Sequence, residues 1–176
     1  MTLEENLKSV IRDVPDFPKP GILFKDISTI MLDAELSKKV LVHLKDLYQE
    51  QSIDAVAGIE SRGFILGAVL AYKLGIGFIP VRKPGKLPAE TDSIEYTLEY
   101  GTDKLEIHLD ALQQGERVLI VDDLIATGGT LLAAIQLVEK RGAQIHECAA
   151  VIDLPALNWR EKFNGYNVYS MISFDG

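Results

Sequence analysis

VLIVDDLIATGGT, residues 118–130, runs from a strand-length apolar stretch into two adjacent acids, Asp122 and Asp123. Four positions beyond Asp123 comes Thr-Gly-Gly-Thr, a sequence that lets a backbone approach another group closely. The apolar run suits a strand buried on both faces. GTLLAAIQLVEKRG (129–142) then has helical periodicity, and QIHECAAVID (144–153) reads as a second strand. Strand, helix and strand in this order predict a parallel crossover.

The flanking chain repeats the alternation. Helices are predicted over 2–12, 34–51 and 62–75, with strands over 53–60 and 77–82. Prolines make 14–21 stiff and extended. KPGKLPAETDS (83–93) lacks apolar periodicity and reads as a mobile loop. SIEYTLEYG (93–101) and KLEIHLD (104–110) alternate polar and apolar residues, as an antiparallel pair does. A short helix near 155–163 and a strand near 166–171 complete the chain. The expected fold is α/β, a mainly parallel sheet flanked by helices, within one domain spanning 1–176.

Composition narrows the function. With 47% hydrophobic and 25% charged residues, the chain can bury a proper core. No apolar stretch reaches the ~18 residues that span a bilayer, and the acidic, amphipathic start is unlike a secretory signal. A single cysteine, Cys148, forms no internal disulfide and suits the cytoplasm. The net charge of −8 argues against nucleic acid and anionic membranes as partners. An anionic ligand would require locally gathered cations.

In parallel sheets, ligands bind beyond the carboxyl ends of the strands. Asp122 and Asp123, expected to end a strand, would lie at that edge. Neighbouring carboxylates accept hydrogen bonds from two hydroxyls, or approach a divalent cation. Ala126, Thr127, Gly128, Gly129 and Thr130 offer backbone N–H groups and two hydroxyls at a helix N-terminus, an anion site. Diol and phosphate together describe a ribose 5-phosphate group. The Gly-Gly pair alone would equally suit a plain turn. Neither G-x-x-x-x-G-K-[ST] nor G-x-G-x-x-G occurs. No His/Cys/Asp set has zinc spacing, no G-x-S-x-G elbow is present, and Cys148 and Trp159 read as packing residues.

VLIVDDLIATGGT resembles the phosphoribosyl-pyrophosphate (PRPP) signature of the type I phosphoribosyltransferases, in the form found in their adenine-using branch. FPKPGILFKDIS (17–28), GIESRGFILG (58–67), VRKPGKLPAET (81–91) and TLEYG (97–101) resemble that branch in the same order, so the likeness covers nearly the whole chain. It implies Mg²⁺-dependent conversion of adenine and PRPP to AMP and pyrophosphate by a homodimer. It implies that Asp122 and Asp123 hold the ribose hydroxyls and that residues 126–130 hold the 5-phosphate. Glu60, Ser61 and Arg62 would bind pyrophosphate, with Arg82, Lys83 and Lys86 adding positive charge. Mg²⁺ would be held mainly by PRPP, pyrophosphate and water rather than by the protein.

The resemblance further makes residues 83–97 a lid, Glu99 the acid that assists proton removal from the purine, and Tyr100 a residue packed over the reacting groups. Arg62 joins these two as a catalytic residue. Leu23, Phe24 and Lys25 would contact adenine, within an N-terminal hood formed by residues 1–30. Lys25 stands where many members carry Arg, and Glu60 where Asp is common. Two alternatives share the signature: a sister transferase for another purine or orotate, and a non-catalytic PRPP sensor. The sister enzymes lack the FPKPGILFKDIS and TLEYG pairing. The sensor would bring a basic face that this acidic chain lacks.

Overall fold

A capping box opens the first helix, α1 (Leu3–Val10): Thr2 and Glu5 each accept the other's backbone N–H. The computed structural model describes residues 2–97 and 101–175. They divide into two compact units, 1–47 and 48–176. In the first, β1 (Arg12–Pro15) pairs antiparallel with β2 (Leu23–Asp26), and α2 (Ser28–Leu32) follows. The prolines predict only an extended segment. It is the turn of this hairpin, closed by the Gly21 N–H donating to Asp16. α3 (Ala34–Tyr48) carries the chain into the second unit.

The second unit is built on five parallel strands: β3 (Ala55–Ile59), β4 (Gly77–Val81), β7 (Arg117–Ile125), β8 (Gln144–Asp153) and β9 (Val168–Ser173), in the spatial order β4-β3-β7-β8-β9. Between β4 and β7 in the chain, β5 (Thr91–Thr97) and β6 (Thr102–His108) form an antiparallel hairpin. α4 (Arg62–Leu74) links β3 to β4, and α5 (Gly129–Lys140) links β7 to β8. All five residues of β3 are buried, as are Val118 to Val121 of β7, which explains why these strands read as unbroken apolar runs.

Three local expectations change. β7 does not end at the two acids; its pairing with β8 continues to Ile125, opposite Asp153. The antiparallel strand expected from Ser93 begins two residues earlier, inside the stretch read as loop, because Thr91 and Asp92 already pair with His108 and Ile107. The helix near 155–163 resolves into two 3-10 turns, Pro155–Leu157 and Trp159–Phe163, divided by Asn158 in the left-handed conformation (φ 51°).

The crossovers leave β3 and β7 in opposite directions along the sheet, since β4 and β8 lie on opposite flanks. The gap between them is a topological switch point, where such sheets bind ligands. α4 closes tightly on it. A Cβ on Gly63 would lie 2.8 Å from the carbonyl oxygen of Val121, and one on Gly58 would lie 2.6 Å from the Phe78 ring. Backbone cannot yield as a side chain can, so Gly63→Ala is expected to destabilise the protein by about 1–3 kcal/mol. A chemical-denaturation midpoint unchanged from the parent would contradict this packing.

Candidate active site

A cavity of about 500 Å³ lies at the switch point. Glu60, Ser61 and Arg62 line it from the end of β3, and Asp122 to Leu131 line it from β7, its loop and the start of α5. Lys83 and Lys86 line it after β4. Residues from three separate sequence motifs therefore meet in one pocket, of a size suited to a small-molecule ligand.

The acids are held differently. Asp123 is buried (5% exposed), and the Arg62 guanidinium donates Nε–H to its Oδ2 at 2.5 Å. Asp122 accepts the Asp123 backbone N–H at 2.8 Å and faces Gly63 at the start of α4. Burial, and then the neighbouring Asp123 charge, push the Asp122 carboxyl well above the usual aspartate range.

The cations sit on carboxylates as well. Glu60 accepts from Arg82 Nε (2.9 Å), the Lys83 N–H (3.0 Å) and Lys86 Nζ (2.5 Å). Burial disfavours its charge, but these donors prevail and hold the carboxyl below the usual glutamate range. Lys83 pairs with Asp103 and donates to the Tyr96 hydroxyl (2.9 Å). Burial opposes both charges there too, yet pairing holds Lys83 above and Asp103 below their ordinary values. Arg82 also ties the hairpin to the sheet, exchanging backbone hydrogen bonds with Glu106.

The 126–130 loop turns at Gly128, whose φ of 79° leads into the N-terminus of α5. A Cβ there would lie 2.6 Å from the Phe163 ring, so glycine is required by conformation and by space. On the opposite side the Thr130 hydroxyl meets that of Tyr96 at 3.4 Å.

Sequence reasoning missed the support behind this loop. Asp153, fully buried at the end of β8, accepts from Trp159 Nε1, Arg160, Ser170 and Ser173. Trp159 packs edge-on against Phe163 (centroids 5.5 Å apart). The two serines two and five residues into β9 and an acid closing β8 carry no local motif, so only the folded chain reveals the cluster.

Not every expected residue falls in this cavity. Arg82 stands behind it, on Glu60. Leu23, Phe24 and Lys25 belong to the first unit, on β2; there Phe24 packs edge-on against Phe17 and Lys25 pairs with Asp13. Glu99 and Tyr100 lie outside the described residues.

Known proteins agree with this architecture. The profile of the phosphoribosyl transferase domain matches residues 31–175. Adenine phosphoribosyltransferase from Chloroflexus aurantiacus is 56% identical over 170 residues, covering 97% of this chain and 98% of its own. The crystal structure of adenine phosphoribosyltransferase from Thermoanaerobacter pseudethanolicus superposes with a TM-score of 0.95 at 51% identity, over 98% of this chain and all of the other. The Saccharomyces cerevisiae enzyme, crystallised with an iminoaltritol bisphosphate and adenine, gives a TM-score of 0.90 at 41% identity, over 97% and 98% of the two chains. The chain belongs to the phosphoribosyltransferase family.

The raised Asp122 carboxyl has a consequence for stability. An acid whose folded value is raised supports the fold below the ordinary aspartate range, and that support is lost as pH climbs through the raised value. Asp122→Asn keeps the hydrogen-bond acceptor without the charge. It is expected to raise the melting temperature by roughly 2–5 °C at neutral pH, with the gain fading near pH ~4. Equal gains at both pH values in a calorimetric scan would refute a burial effect on the charge.

Proposed function

We propose that this chain transfers the ribose 5-phosphate group of PRPP to adenine, giving AMP and pyrophosphate, a pentosyl transfer of purine salvage. The observation that carries the reading is the single cavity joining Asp122 and Asp123, the 126–130 loop, Arg62 and Lys86. It offers acceptors for a diol, amides for a phosphate and cations for a pyrophosphate. The base follows from the relatives: the Chloroflexus aurantiacus and Thermoanaerobacter pseudethanolicus proteins are adenine enzymes, and the yeast complex contains adenine. They do not favour a sister transferase or a non-catalytic sensor.

In this reading Asp122 and Asp123 accept the ribose hydroxyls and residues 126–130 bind the 5-phosphate. Glu60, Ser61 and Arg62, with Arg82, Lys83 and Lys86, form the pyrophosphate side. Arg62 sits first in α4 and would turn part of its fork from Asp123 to the leaving group. Purine N9 attacks the anomeric carbon as the bond to pyrophosphate breaks, inverting that carbon; Glu99 assists loss of the N9 proton and Tyr100 packs over the reacting groups. Residues 83–97 close as a lid that excludes water from an oxocarbenium-like centre. Leu23, Phe24 and Lys25 contact adenine, from the 1–30 hood of a single 1–176 domain. These assignments rest on resemblance.

Mg²⁺ fits the donor chemistry of the site. In this reading the oxygens of PRPP and pyrophosphate, with water, would hold the cation, while Asp122 and Asp123 stay on the ribose hydroxyls. A small hard cation of this kind supplies charge neutralisation at phosphate and keeps much of its water. We further infer a homodimer: Ile65 and Tyr72, two turns apart on α4, are 52% and 85% exposed. No helix among the described residues is long and apolar enough to cross a membrane. The buried, unpaired thiol of Cys148 supports a reducing cytoplasm.

Purified protein with Mg²⁺, PRPP and each nucleobase in turn should give AMP from adenine and no product from the others. Turnover of hypoxanthine, guanine or orotate in place of adenine would refute the assignment of the base. Glu99→Gln is expected to lower kcat about 10²-fold or more while leaving the KM values nearly unchanged. An unaltered single-turnover rate would remove Glu99 from the proton transfer.

A further inference from the structure

Lys162 reaches the loop of residues 126–130 from outside the cavity. Its Nζ donates to the Thr127 carbonyl oxygen at 2.7 Å, while the side chain remains exposed to solvent. The peptide joining Thr127 to Gly128 is trans. In a planar trans peptide the C=O and the N–H point in opposite directions. A Thr127 carbonyl drawn outward by Lys162 therefore turns the Gly128 N–H inward, where Thr127, Gly128 and Gly129 line the cavity. Phe163, the next residue, fills the space beneath Gly128. The turn carrying both is anchored by Trp159 on Asp153.

We propose that Lys162 is a positioning residue of the phosphate site. It sets the Thr127–Gly128 peptide so that the amide faces the 5-phosphate, and its ammonium places positive charge directly behind that peptide. A mobile peptide would have to be ordered by each arriving ligand, and its carbonyl would repel phosphate whenever it rotated inward. The proposal rests on reading residues 126–130 as the 5-phosphate grip. It assigns an exposed lysine, 32 residues beyond the end of that loop, to the same site.

The test compares the parent chain with Lys162→Met, which keeps the aliphatic stem, and Lys162→Arg, which keeps a charged donor. Ribose 5-phosphate binding is measured by calorimetry, and steady-state kinetics are run with PRPP and adenine. Lys162→Met is expected to weaken ribose 5-phosphate and raise the KM for PRPP by about five- to tenfold. The KM for adenine at saturating PRPP, kcat and the melting temperature should not move. Lys162→Arg should recover most of the loss. Unchanged ribose 5-phosphate affinity in Lys162→Met would overturn the proposal, as would equal weakening of adenine and PRPP. If the parent chain bound no ribose 5-phosphate, the phosphate-grip reading itself would fail.

Discussion

A carboxylate buried within the central strand must be neutralised, and much of the active-site architecture follows from how this is done. Asp123 sits in β7 with only 5% of its surface exposed, and an unpaired charge there would be costly. Arg62 answers it from the first residue of α4. The pairing requires the start of α4 to lie almost on the backbone of β7, which Gly63 permits by having no side chain. The glycines of GIESRGFILG are thus part of the electrostatics of the site: they set the distance at which an arginine can reach an acid. The same closeness places Asp122 against α4 and raises its carboxyl.

The pocket is made in the same way throughout. Each cation expected to meet phosphate is already held by a carboxylate: Arg62 by Asp123, Arg82 and Lys86 by Glu60, Lys83 by Asp103. An acidic chain of net charge −8 thereby gathers cations around one cavity. Carboxylates hold long flexible side chains in place, so less side-chain entropy remains to be lost when a polyanion binds. Glu60, an acid among the cations proposed to meet pyrophosphate, then has a physical role as their organiser. The surrounding donors outweigh its burial and hold its carboxyl below the usual glutamate range.

Much of this is legible in the sequence because it is local. A buried parallel strand must be apolar throughout, a tight turn into a helix must be small, and a ribose phosphate needs acids beside free amides; residues 118–130 carry all three properties in thirteen positions. Element boundaries were less legible. β7 passes through its acids because β8 continues to offer backbone partners as far as Asp153, and nothing in the local composition announces that. The β1–β2 hairpin was hidden for a similar reason, since antiparallel pairing across a proline-rich turn depends on partners eight to fourteen residues away.

Chain order and residue type alone therefore determined the alternating strands and helices, and they singled out the acids, the small loop and most of the cations that the fold gathers around one cavity. The pairing of charges and the support of the loop were decided only in three dimensions. Asp153 and Trp159 lie close in sequence, yet Ser170 and Ser173 join them from another strand. Lys162 meets Thr127 across 35 positions, and Arg62 meets Asp123 across 61. Such contacts depend on sheet order and helix approach. Those in turn depend on which side chains are small enough to let backbone touch backbone, a property shared by many residues and expressed only when the sheet has formed.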